Sequence, residues 1–388
     1  MKLIDRTLYD AVRNKLAPSK SVTIFGPRRV GKTVLMRQIV ESWEGSTLVL
    51  NGEDSTVADM LSVRTISNYR GLFSGVPLLA IDEAQNIANV GQVLKLIVDE
   101  VPGIAVLATG SSSFDLLKKV GDPLVGRGTQ FLLYPFSQEE ISQNENPIES
   151  HSELENRLIY GTYPDVYKLS NNVDKADYLR DIVGAYLLKD ILMVDGVKNS
   201  AKMLQLLKLI AMQVGSEVSL EELGRQLSMS RNTVERYLDL LEKVFVVYRL
   251  GAFSRNLRNE VTRGGKWYFV DNGIRNAVIG NFLPLSSRTD VGALWENYLI
   301  SERLKFNNNN RLHSNYYFWR TYTQKEIDLI EETAAGKLRA FEFKWGIKTP
   351  RVPADFQNGY PDATYMVVSK NNFLDYTVKE DMSSGETK

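Results

Sequence analysis

The sequence predicts an α/β fold: a parallel sheet with helices on both faces, then a helical lid, a module of helices and a hairpin, and a second, smaller α/β module. Three features carry that expectation. Up to about Tyr134, strand-like runs at Ser21 to Phe25, Thr47 to Asn51, Leu78 to Asp82, Ile104 to Thr109 and Thr129 to Tyr134 alternate with stretches of helical spacing, the pattern of a parallel sheet. A glycine-rich turn follows the first run and opens a helix. After about Ser200 the alternation gives way to two helical stretches and two β runs, and strands return near the C-terminus. The expected domains are 1–136, 137–198, 199–284 and 285–388.

The turn reads Gly26-Pro27-Arg28-Arg29-Val30-Gly31-Lys32-Thr33, with Val34 next. Its glycines let successive backbone N–H groups curl inward around a phosphate, and the following helix adds the positive end of its dipole. Lys32 then reaches the β- and γ-phosphates and Thr33 ligates Mg²⁺, so ATP and Mg²⁺ are the expected cofactors. Val34, Leu35, Ile39 and Val40 recur at helical spacing behind the loop,.

Composition narrows the chemistry. The chain has 388 residues, 43% of them hydrophobic, enough for several cores,. It has no Cys, and His151 and His313 are its two histidines, so disulfides, thiolate catalysis and zinc-cysteine sites are excluded and a His-based triad or metal site is not expected. Carboxylates, Lys and Arg must do the work. Lys+Arg and Asp+Glu both number 47, so overall charge neither points to nor excludes a nucleic-acid partner. No apolar stretch approaches the roughly 18 residues needed to span a bilayer, and the opening Met-Lys-Leu-Ile-Asp lacks the core of a secretory signal,. A cytoplasmic protein without a membrane partner is expected.

Leu78-Leu79-Ala80-Ile81-Asp82-Glu83 is an apolar strand ending in two carboxylates. Adjacent strand residues point in opposite directions, so Asp82 is expected in the Mg²⁺ shell and Glu83 as the group that orients and deprotonates water. The next buried run ends Thr109-Gly110-Ser111-Ser112; Ser111 or Thr109 is placed to sense a γ-phosphate, although small polar residues also form ordinary turns there. Arg127 lies just before the fifth strand.

The order of phosphate loop, Asp82-Glu83 strand, Thr109-Gly110-Ser111 strand and Gly126-Arg127 before Phe131-Leu132-Leu133-Tyr134-Pro135-Phe136-Ser137 resembles the AAA+ ATPases. More narrowly, it is similar to prokaryotic ATPases of the archaeal-ATPase-like group that carry an uncharacterised C-terminal domain. The likeness extends through Tyr160-Gly161-Thr162-Tyr163-Pro164, where Tyr160 replaces the group's first glycine, and through Trp267-Tyr268-Phe269-Val270-Asp271-Asn272-Gly273. It implies that Arg127 is an arginine finger reaching into a neighbouring subunit of a homo-oligomer; the alternative is a pairing within its own domain.

Ser219-Leu220-Glu221-Glu222 has the Ser and Glu of a capping box, and Val234, Tyr237, Leu238 and Leu241 share a face of the next helix,. With runs at Val244 to Leu250 and Lys266 to Val270, this order reads as a winged helix. Arg231, Asn232, Glu235, Arg236 and Asp239 then face outward, where Glu235 and Asp239 would repel DNA, and Arg255, Arg258, Arg263 and Lys266 form a basic wing able to touch DNA phosphate; the alternative is a module that only packs against the lid or partner subunits,. Farther on, Asp328 on one strand and Glu342 and Lys344 on the next are expected on one face, because residues two apart share a side. Two carboxylates and a lysine there suit metal-dependent phosphodiester chemistry, and the arrangement resembles the restriction-endonuclease-like fold, in which Glu296 occupies the place of the helical acidic residue. The expected function is an ATPase whose nucleotide state controls a DNA-binding or nuclease-like module. The alternative is a nucleotide-dependent assembly or signalling switch with a degenerate, non-cleaving C-terminal domain.

Overall fold

The computed structural model describes residues 3–110, 124–187, 199–254, 264–321, 323–346 and 349–379. The first sheet contains β1 (Lys20–Phe25), β2 (Thr47–Asn51), β3 (Leu78–Asp82), β4 (Ala105–Gly110) and β5 (Gly128–Leu132), in the order β2-β3-β4-β1-β5. Every pairing is parallel. Helix α1 (Lys32–Glu41) buries Leu35, Met36 and Ile39 against one face, and α2 (Val90–Glu100) buries Val93, Leu94, Ile97 and Val98 against the other. Covering both faces is why β1, β3 and β4 are buried along almost their whole length,. Each fully buried Leu or Ile contributes about 1.5–3 kcal/mol. Val34, expected on the apolar face of α1, is 51% exposed; Met36 takes the core position, and Val34 stays beside the loop.

In the segment expected as a lid, helix α3 (Leu154–Tyr160) ends at Gly161, whose φ is 69°. Downstream, helices Ser200–Met212, Leu220–Leu227 and α4 (Arg231–Lys243) precede an antiparallel hairpin, β7 (Val247–Ala252) with β8 (Gly265–Phe269). The Ser219 hydroxyl accepts the Glu222 N–H at 3.2 Å, as the capping pattern requires,. Val234, Tyr237, Leu238 and Leu241 of α4 are buried, and Arg231, Asn232, Glu235, Arg236 and Asp239 are exposed.

The second sheet draws strands from both of the expected segments 199–284 and 285–388. It runs β12 (Thr364–Val368), β11 (Leu338–Phe343), β10 (Glu326–Thr333), β9 (Ser314–Arg320), β7, β8, β6 (Glu217–Val218). Strand β7 pairs in parallel with β9, Gly251 opposite Tyr317 and Ala252 opposite Phe318. The hairpin edge is thus covered by a strand from the following module, which removes an exposed ladder.

Two glycines weld the lid to the segment after β8. A Cβ on Gly161 would lie 2.0 Å from Asp271 Oδ1, and one on Gly273 would lie 2.2 Å from the Tyr160 carbonyl oxygen. In that contact Asp271 accepts from Thr162 N (2.7 Å) and Ile274 N (3.1 Å). Asn276 of α5 (Asn272–Ile279) donates to the Leu158 and Ile159 carbonyls at 3.1 and 2.8 Å. Tyr160, the departure from a double glycine, is buried and stacks on Phe282 at 5.7 Å. The long helix α6 (Val291–Asn309) adds a third tie: Lys305 Nζ reaches Thr162 Oγ1 at 2.9 Å and the Phe136 carbonyl at 3.2 Å. No helix among the described residues is long and apolar enough to cross a membrane.

Candidate functional site

Strand β1 delivers the chain into the phosphate loop, and backbone conformation shapes it. Gly26 has φ 150° and Gly31 φ 96°, and Arg29 lies in the left-handed region at φ 66°. A Cβ on Gly26 would sit 2.0 Å from the Leu133 carbonyl oxygen, so no other residue fits without displacing β5's exit. Lys32 is 5% exposed and donates to the carbonyls of Gly26 (3.0 Å) and Pro27 (2.8 Å).

The carboxylates meet the loop where β3 ends. Thr33 Oγ1 donates to Asp82 Oδ2 at 2.9 Å. Thr109, at the tip of β4, donates to Asp82 Oδ1 at 2.5 Å and accepts the Glu83 N–H at 3.1 Å. Thr109 therefore organises the acidic pair from within the protein and is fully buried; Ser111 lies outside the described residues. Glu83 adopts φ 49° and ψ 43°, uncommon for a non-glycine residue,. Its carboxylate accepts from Gln85 Nε2 and its carbonyl from Asn86 Nδ2. A hydroxyl and a carboxylate in contact beside a phosphate cradle suit a hard cation that also takes phosphate oxygens.

Arg6 is a residue that pattern reasoning missed. Its guanidinium donates to the carbonyls of Val30 and, at 3.0 Å, Tyr134, and pairs with Glu140 at 2.8 Å. It fastens the loop to the segment after β5 and to the following helix, Gln138–Ile141. A lone Arg near the N-terminus carries no periodic signal of such a role.

Arg127 pairs with Asp99 of α2, and its carbonyl accepts the Ser21 N–H at 2.9 Å. That bond places it where β1 begins, five residues before Gly26, roughly 17 Å along the strand,. Arg127 and its own phosphate loop thus lie at opposite ends of the sheet.

In the second sheet, Leu329 faces Phe341, so one step on Asp328 faces Glu342 across β10 and β11. The β10 register against β9 shifts between Ile327 and Ile330; bulges re-aim side chains in this way. Asp328 is 8% exposed and accepts the Phe343 N–H at 2.7 Å. Lys344 pairs with Glu342 Oε1 at 2.5 Å, while Glu342 Oε2 is buried without a hydrogen-bond partner. Glu296, on α6, accepts from Tyr268 OH at 2.5 Å and pairs with Lys266 at 3.4 Å; Lys266 also pairs with Glu326. Among the described residues, no three acidic or histidine side chains are arranged to hold a metal ion.

Burial, then the negative charge of Asp328, pushes the Glu296 carboxyl up to about 7. Burial also raises Asp328, and burial followed by Asp328 raises Glu342. Lys266, expected on a solvent-facing wing, is instead 3% exposed inside this cluster, because all five residues of β8 are buried between neighbouring strands and helices. The rest of the expected wing, Arg255, Arg258 and Arg263, lies outside the described residues.

Residues 18–142 match the family model described as an AAA domain; 151–284 and 291–387 match models described as domains of unknown function, DUF8612 and DUF4143. An uncharacterized protein of Mycobacterium tuberculosis is 28% identical over 357 residues, spanning 90% of this chain and 76% of its own. One from Methanocaldococcus jannaschii is 24% identical over 314 residues, 74% of this chain and 67% of its own. Among solved structures, the Thermotoga maritima RuvB Holliday junction branch migration motor aligns at 18% identity, TM-score 0.29, over 59% of this chain and 82% of its own. A structure described as the basis for katanin self-assembly aligns at 15% identity, TM-score 0.28, over 52% and 76%. The parallel sheet, the phosphate loop and the matched family model together make residues 18–142 an AAA-type P-loop domain.

Proposed function

We propose that the chain is a Mg²⁺-dependent ATPase whose nucleotide state sets the disposition of a C-terminal module that handles DNA. The observation that carries the ATPase reading is the network joining Thr33, Asp82, Thr109 and Glu83 at the mouth of the phosphate loop. Gly26 through Val34 form the binding segment: backbone N–H groups cradle the phosphates, Lys32 turns from the Gly26 and Pro27 carbonyls toward the β- and γ-oxygens, and Thr33 and Asp82 hold Mg²⁺. The bound ion neutralises charge on the phosphates. Glu83, fixed by Thr109 and Gln85, orients the attacking water and accepts its proton. Arg127, too far from its own loop, serves a neighbouring subunit of a homo-oligomer, and Ser111 contributes to γ-phosphate sensing. Lys32→Ala is expected to lower steady-state ATP turnover at least 100-fold; unchanged turnover removes the assignment.

The DNA-handling part rests on the winged-helix-like order before β8 and on the Asp328–Glu342 pair, which supports a restriction-endonuclease-like module. Four carboxylates, Glu296, Glu326, Asp328 and Glu342, face two ammonium groups there, and Glu342 Oε2 is unpartnered. That excess of anionic oxygen fits a divalent cation. Asp328 and Glu342 would hold it with Lys344 beside them, and Glu296 would join once released from Tyr268 and Lys266. The bound cation supplies charge neutralisation at a phosphodiester. Mn²⁺-dependent nicking of plasmid, single-stranded and branched DNA is expected to disappear in Asp328→Ala. A wild-type protein that cuts none of these favours the rival reading, an assembly switch with a non-cleaving binding module.

A further inference from the structure

We infer that Phe245, which lies between α4 and β7, is a positioning residue for the phosphate loop. The inference rests on the reading of that loop as a nucleoside triphosphate site.

Helix α4 closes with two bonds, Phe245 N–H to the Glu242 carbonyl at 2.9 Å and Val246 N–H to the Leu241 carbonyl at 3.0 Å. This closure needs its hinge residue in the left-handed region, where glycine is the usual occupant. Here the residue is Phe245, at φ 60°. A bulky aromatic is strained there, and such strain persists where the surroundings use the side chain.

The side chain lies beside the phosphate loop. Phe245 is half-buried and packs on the hydrophobic core that includes Phe25, the residue immediately before Gly26. It shares the lining of a small cavity with Pro27 and Arg28 of the loop, Tyr163 of the lid and Asp271. Pro27 is also where Lys32 anchors, at 2.8 Å through the carbonyl. Phe245 thus lines the same cavity as Pro27 and Arg28, and the Pro27 carbonyl anchors the ammonium that must reach the phosphates. When Lys32 leaves the Pro27 carbonyl, that wall loses its inner support and depends on what packs behind it. Phe245 supplies the backing, so the loop keeps its curvature in the bound state. The phosphate site is completed by a residue more than 200 positions downstream, from outside the AAA domain.

The test uses the whole chain as wild type and as three variants: Lys32→Ala, Phe245→Gly and Phe245→Leu. Affinity is read with a fluorescent ATP analogue and Mg²⁺, turnover as separate kcat and KM, and stability as the thermal midpoint. Glycine suits the left-handed position, so Phe245→Gly is expected to keep or raise the midpoint while weakening affinity about tenfold. KM should rise in parallel and kcat stay within about twofold, with Phe245→Leu recovering most of the affinity. Wild-type affinity in Phe245→Gly overturns the inference, as does a joint fall of midpoint and affinity that leucine fails to restore. If the wild type binds the analogue no better than Lys32→Ala, the ATP-site reading fails, and this inference with it.

Discussion

The phosphate loop and the carboxylate cluster handle charge in opposite ways. The loop offers an anion backbone N–H groups, a helix terminus and one lysine, all from Gly26 to Thr33. The cluster gathers Glu296, Glu326, Asp328 and Glu342 with Lys266 and Lys344 from α6, β8, β10 and the end of β11. A site made of backbone is fixed by local conformation and can wait for its ligand at little cost. A site made of part-buried side-chain charges must be neutralised at all times, by protons, by lysines or by a bound cation. The first is therefore sensitive mainly to geometry and the second to pH and salt.

The largest expected effect is on geometry and chemistry at the first site. Glu83→Gln keeps the side chain's shape but removes the proton acceptor, so single-turnover hydrolysis should fall on the order of 100-fold with nucleotide affinity within about twofold of wild type. A loss of affinity of the same size would show that Glu83 binds rather than acts on water.

The second site should announce itself through pH. Folded Glu296 holds its proton up to about 7, against an ordinary value of 4.5. Between those values the folded protein binds more protons than the unfolded chain, so stability falls as pH rises through that window. The fall should be on the order of 2–3 kcal/mol in denaturant titrations, and Glu296→Gln should flatten it. A wild-type stability flat from pH 5 to 8 would show that Lys266 and Tyr268 already balance the charge.

The smallest effect concerns Arg127. Its pair with Asp99 is partly exposed, so Arg127→Ala should cost less than about 1 kcal/mol of stability. Its turnover should match wild type in dilute solution and fall behind as protein concentration rises. Equal turnover at every concentration would leave Arg127 a surface pair and sharpen the contrast, since the loop would then need nothing from a neighbour.

Legibility in the sequence follows the same division. Strands β2 and β3 fall on the residues expected, because short apolar runs bounded by turns leave contiguous marks. The Asp328–Glu342 face was likewise readable, since alternation places residues two apart on one side. Lys266 was not, because a lysine near arginines resembles a wing until its partners, Glu296 and Glu326, are brought in from 30 and 60 residues away. Arg6 was silent for the same reason, its Glu140 partner lying 134 residues on. Thr109 reads in the sequence as a turn residue or phosphate sensor, and its bonds to Asp82 and the Glu83 N–H become visible only when β3 and β4 are paired. The shared sheet was hidden because β7 and β9 carry no signal of parallel pairing across so long a connection.

Gly161 and Gly273 admit no side chain where the lid meets the segment after β8, and that has a mechanical consequence. A joint with no spare volume resists bending, so the segment around Thr162 and the segment around Asp271 hold as one piece, and α6 fastens that piece to the Phe136 carbonyl through Lys305.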